Sequence, residues 1–127
     1  MVNIELLEKY KNYVCPNCFN ILGQCKCGLK PYHLIMIDSK VQESVRILNE
    51  KGYITTGSCE SHKEICLDIY ISFNRNYNFE TLPDGFIYDK NKYAVVYKYR
   101  SKKDIENQKE QKLFALLEWC KSLANLK

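Results

Sequence analysis

Four cysteines fall within thirteen positions, as Cys15-Pro16-Asn17-Cys18 and Cys25-Lys26-Cys27-Gly28. No other feature of the chain restricts its folding as much. The spacing C-x2-C-x6-C-x-C carries two close pairs of soft sulfur donors, and Pro16 and Gly28 supply tight turns that aim both members of a pair inward. Four thiolates so placed close a tetrahedron around one zinc ion, and an all-sulfur tetrahedron leaves no open position for substrate. The expected cofactor is therefore structural zinc, held by Cys15, Cys18, Cys25 and Cys27 in an N-terminal zinc knuckle, with Phe19 to Gln24 as the tip of a short hairpin.

The chain has seven cysteines in all. An odd count argues against a secreted disulfide framework. The opening Met1-Val2-Asn3-Ile4-Glu5 has an acidic residue where a secretory leader would be basic and then apolar. No apolar run approaches the roughly 18 residues that span a bilayer. The expectation is a soluble cytoplasmic protein without a membrane partner. With 127 residues, 46% of them hydrophobic, there is material for about one domain's core. Net charge is +4; one zinc on four thiolates adds −4 + 2 = −2 and leaves about +2. That is too mild to imply nucleic acid by charge alone. Arg, the residue best suited to bidentate recognition, contributes only 3 of the 19 basic residues.

Periodicity then orders the chain. A first helix is expected from about Asn3 to Tyr13, on the spacing of Ile4, Leu7 and Tyr10. After the knuckle, residues 32–37 read as a buried strand, and Asp38 or Ser39 is placed to cap a helix striped by Val41, Val45 and Leu48. Gly52 sits where a left-handed C-cap is wanted. Tyr53 to Thr56 predicts a strand, residues 57–63 a polar loop, and residues 65–73 a strand with Ile65, Leu67, Ile69, Ile71 and Phe73 on one face. Asn74 to Asn78 reads as a polar linker. A turn at Leu82 to Gly85 leads into a hairpin of Phe86–Tyr88 and Tyr93–Tyr99. A last helix from about Lys103 to Asn125 carries Leu113, Leu116, Leu117, Cys120 and Leu123 on one face, its charged first turns projecting past the core. The fold class is α+β: a mostly antiparallel sheet packed with two main helices, plus the four-cysteine knuckle. The division expected is 1–31 for the N-terminal helix and knuckle and 32–127 for the α+β domain.

Chemistry outside the knuckle points first to residues 57–63. Ser58, Cys59 and His62 are candidate ligand-binding groups there, and His33 is a candidate to join them from a neighbouring strand. Cys59 and His62, three apart, suit a thiolate–imidazole pair, but no orienting third group or oxyanion pocket is legible. A second reading concerns residues 86–100, where Phe86, Tyr88, Tyr93, Tyr97 and Tyr99 interleave with Lys90, Lys92, Lys98 and Arg100. Aromatic faces beside cations stack single-stranded bases; the favoured reading is a hairpin packing one face on the helices, since Tyr97 and Tyr99 share a face with Tyr93 and Val95. Trp119 is the anchor expected if the last helix pairs two copies into a homodimer.

Two resemblances attach to these residues. Leu48-Asn49-Glu50-Lys51-Gly52-Tyr53-Ile54-Thr55, Ser58-Cys59-Glu60-Ser61-His62 and Tyr70-Ile71-Ser72-Phe73 match the pattern LNxKGYxT, SCxxH and YIxF. With its cysteine-rich head, the chain resembles a set of small, uncharacterised zinc-knuckle proteins of low-GC bacteria and their phages over about two-thirds of its length. More distantly, Ile37 to Ser61 is similar to the wybutosine-synthesis methyltransferase family, which modifies a tRNA guanosine using S-adenosylmethionine. This chain keeps Thr55, Thr56, Ser58 and Cys59 of that family's motif but has Gly57 for a Ser and Glu60-Ser61-His62 for Ser-Gly-Arg. The sequence therefore predicts a small zinc protein acting as a non-enzymatic binding module for single-stranded nucleic acid or a protein partner. The alternative implied by the resemblance is a degenerate or divergent S-adenosylmethionine-dependent RNA-modifying enzyme with its site at 57–63.

Overall fold

The computed structural model describes residues 11–20, 27, 35–62 and 66–127. Its elements run β1 (Lys11–Val14), β2 (Ile35–Asp38), α1 (Gln42–Lys51), β3 (Thr55–His62), β4 (Cys66–Phe73), β5 (Ile87–Asp89), β6 (Ala94–Tyr97) and α2 (Lys102–Ser122). β1 and β2 form a two-stranded antiparallel sheet, and the other strands form a four-stranded antiparallel sheet in the order β3-β4-β6-β5. The α+β class with two helices and an antiparallel sheet is thus present.

The expected helix 3–13 is corrected at its C-terminal end, and residues 3–10 lie outside the described set. Lys11 to Val14 is a strand because it pairs with β2, Tyr13 opposite Met36 and Val14 opposite Ile35. Val14, fully buried, joins the same apolar core as Ile37, Val45 and Leu48. Ladder pairing and burial outweigh a weak helical spacing.

α1 forms as its stripe predicts, with Val45 and Leu48 in the core. Gly52 ends it at φ +101°, a conformation only glycine adopts without strain, and its N–H closes on Asn49 and Leu48 carbonyls. Neither Asp38 nor Ser39 caps the start; Val41 holds that position with no side-chain bond. The Asp38 carboxylate accepts the Glu60 N–H instead, at 2.9 Å. α2 is capped by Ser101, whose hydroxyl accepts the Asp104 N–H. Its first turns do not project: Ile105 is buried and Gln108 accepts the Tyr97 hydroxyl at 2.9 Å.

One face of the four-stranded sheet meets the helices through Ile69, Ile71, Phe73 and Val95, packed with Leu113, Leu116, Trp119 and Cys120. Leu67 departs from the expected apolar face and is exposed. The segment after β4 is no polar linker. Tyr77 and Phe79 fold back so that Phe79 lies 5.1 Å from Phe73 and 5.0 Å from Trp119, edge to face with the latter. Trp119 is itself buried, and its indole N–H donates to the Thr81 carbonyl at 3.1 Å, so it is an internal anchor and not a dimer contact.

Candidate metal centre

β1 runs directly into the first cysteine pair. Past Val14 the chain turns tightly, with the Phe19 N–H on the Cys15 carbonyl at 2.8 Å and the Cys15 N–H on the Asn20 carbonyl at 3.0 Å. Phe19 takes φ +58°, which bends the backbone around the pair. The Asn17 N–H donates to the Cys15 sulfur at 3.3 Å, which orients that sulfur within the turn. Helix α1 fixes this turn from outside, since the Gln42 amide donates to the Phe19 carbonyl at 2.7 Å.

The Sγ atoms of Cys15, Cys18 and Cys27 lie within 4.8 Å of one another. Zn–S bonds of about 2.3 Å at tetrahedral angles separate sulfurs by about 3.8 Å. Three thiols already gathered so closely fit a single ion with little rearrangement. Burial is graded across them: Cys15 is fully enclosed, Cys18 half-buried and Cys27 exposed. Cys25, the fourth ligand expected from the spacing, lies outside the described residues.

The second candidate site is reorganised. Residues 57–62, expected as loop, instead continue the strand begun at Thr55, because β4 is long enough to pair with Gly57, Ser58, Cys59, Glu60 and His62. Two irregularities, between Thr55 and Gly57 and between Glu60 and His62, absorb the residues that look like loop material; Ser61, at φ +75°, sits in the second. Ser58 pairs opposite Ile71 and Cys59 opposite Tyr70, so successive side chains leave on opposite faces. Cys59 is buried and accepts the Ser61 N–H at 3.4 Å. His33 and the His62 side chain lie outside the described set.

What the sequence reading passed over is Glu60, which is fully buried. Its Oε1 accepts the Lys40 N–H at 3.2 Å and the Ser39 hydroxyl at 3.4 Å, and its Oε2 faces the Lys109 ammonium at 3.2 Å. Lys109 also donates to the Ser61 carbonyl at 2.7 Å. Asp38-Ser39-Lys40 and Cys59-Glu60-Ser61 are thereby pinned together and to α2. A glutamate among small polar residues is the only signal that marks it in the sequence.

The aromatic–basic hairpin divides between two faces. Phe86 and Tyr99 are buried against the helices, and Tyr97 packs between them, 5.5 Å from Phe86 and 4.8 Å from Tyr99. These rings are core and not a base-stacking surface. Lys92 and Lys98 instead border a cavity of about 470 Å³ on the opposite face, floored by Tyr70, Ala94 and Val96. Among the described residues no helix is long and apolar enough to cross a membrane. No protein family, curated protein or solved structure matched the chain when it was compared with each.

Proposed function

We propose that this chain is a zinc-stabilised, non-enzymatic binding module. Cys15, Cys18 and Cys27 hold the ion, Cys25 completes the tetrahedron, and the closed thiolate shell serves as scaffolding. The observation that carries this reading is the gathering of three sulfurs within 4.8 Å at the junction of β1 with the core. Zinc is the metal that soft thiolates in a tetrahedral array select in a reducing compartment. A binding role is further supported by the burial of Cys59 on a paired strand, which removes the nucleophile that an enzymatic reading of 57–63 needs.

Metal analysis of protein purified without added metal tests the proposal. One zinc per chain is expected, with loss of the ion on replacing Cys15, Cys18 or Cys27 by Ser. Metal-free protein with these cysteines joined as disulfides would refute it.

A further inference from the structure

The face of the four-stranded sheet turned away from the helices carries a second arrangement. On β4, Asp68, Tyr70 and Ser72 alternate onto this face; on β6, Ala94 and Val96 do the same, both nearly enclosed, and Lys98 follows just past the strand. Tyr70 pairs opposite Val96 and Ser72 opposite Ala94, so an aromatic ring, two small apolar residues and a hydroxyl make one continuous floor. Cations stand at both ends of this floor. Lys90 and Lys92 occupy the β5–β6 turn at one end; Lys98 and Arg100 follow β6 at the other, and all four are exposed. Two carboxylates line the same cavity, Asp89 beside the turn that carries Lys92 and Asp68 at the end where Lys98 leaves β6. Gly57 belongs to the same surface: a Cβ there would meet the Ser72 hydroxyl at 3.0 Å and lie 3.9 Å from the Tyr70 ring.

We propose that the cavity on this sheet face binds single-stranded nucleic acid, with a base stacked on Tyr70, the flanking phosphates on Lys92 and Lys98, and the carboxylates of Asp68 and Asp89 accepting from a base amino group. This names the ligand class for the binding-module reading and rests on it. A flat aromatic floor is tolerant of any base, since every base has a π-face. The mixed lining then decides between bases and against a polyanion held by charge alone. A carboxylate accepts from the cytosine N4 amino group and is repelled by the carbonyl oxygen that uracil presents at the equivalent position. The expected preference is therefore for amino-bearing bases over uracil. Lysines at both ends of the floor, and not in its middle, suit a backbone running along the strands with its base turned inward.

Fluorescence anisotropy of the zinc-replete full chain with short labelled oligocytidylate and oligouridylate tests this. Oligocytidylate should bind more tightly. Tyr70→Ala should weaken it at least fivefold, roughly the lower end for removing one stacking ring, and Tyr70→Phe should restore it. Lys92→Gln and Lys98→Gln should each reduce the slope of log affinity against log salt by about 0.7. Asp68→Asn with Asp89→Asn should narrow the gap between the two oligomers. Should Tyr70→Ala fail to fold, the lysine and aspartate variants decide the matter. The inference is overturned if neither oligomer binds saturably, or if the lysine variants leave the salt slope unchanged. It is equally overturned if a labelled peptide binds in a Tyr70-dependent way while oligocytidylate does not. Zinc content measured on the same sample separates the two proposals: zinc-loaded protein that ignores RNA defeats only this one.

Discussion

The two sheets of this molecule are held by different physics. The pair β1–β2 has four residues per strand and ends at the cysteine turn. A two-stranded sheet of that size is marginal in water, and here it is tied down by Val14 in the shared core and by the Gln42–Phe19 bond, beside three gathered sulfurs. The four-stranded sheet needs no such clamp. Ile69, Ile71 and Val95 are wholly enclosed beneath two helices, with the aromatic group of Phe73, Phe79 and Trp119 closing one end. Under the proposed coordination, the sulfurs stand in for apolar burial where the chain is too short to provide it. Glu60 and Lys109 bridge the two regions.

The sharpest way to break the contrast is Cys15→Ser. Structural zinc contributes apparent free energies of about 10 kcal/mol or more to small sites of this kind. We expect loss of the ion and of amide protection over residues 11–20, while β4, β6 and α2 stay protected. Global unfolding on chelation would show that the head organises the whole chain.

Glu60→Ala probes the bridge. Removing one member of a buried ion pair leaves the other uncompensated and costs about 3–5 kcal/mol. Urea denaturation should show a loss of this order, with zinc content unchanged. A loss under 1 kcal/mol would mean that Lys109 reaches water when its partner is gone.

Leu116→Ala attacks the larger region alone. Leu116 is fully buried, so truncation should cost about 2–5 kcal/mol and lower the thermal midpoint. The stoichiometry of one zinc should persist; metal loss here would erase the distinction between the regions.

A smaller effect is expected from pH. Burial among apolar side chains pushes the Cys120 thiol up to about 12. The unfolded chain releases this proton near the ordinary value while the folded chain keeps it. Stability therefore falls as pH rises above about 9, by at most about 1.4 kcal/mol per pH unit. Tyr99, raised chiefly by burial, adds to the loss above pH 10. Cys120→Ala should flatten the decline between pH 9 and 10 in urea titrations, and an unchanged slope would assign it elsewhere.

Much of this was legible in the residues. The stripe Val41, Val45, Leu48 with Gly52 behind it specifies α1, because helical periodicity and a left-handed cap leave little choice. The alternation from Ile69 to Phe73 specifies β4 in the same way. The Cys15, Cys18, Cys27 grouping follows from spacing, since residues so near in sequence meet through local turns. The strand that starts at Thr55-Thr56 was legible, but its continuation through 57–62 was not: Gly57, Ser58 and His62 favour a loop, and only pairing with β4 outweighs them. Nor was Tyr77–Phe79, whose polar neighbours conceal two rings that find the core.

What the sequence determined by itself, then, is each feature that short-range physics governs: the sulfur cluster, the capped helix and the alternating central strand. What only the tertiary structure decided is which faces those elements hide. Phe79 was turned inward, Tyr70 and Lys98 to the opposite face of the sheet, and Glu60 was buried opposite a lysine far along the chain. Burial depends on which partner arrives from a distance, and no local pattern of residues records that arrival.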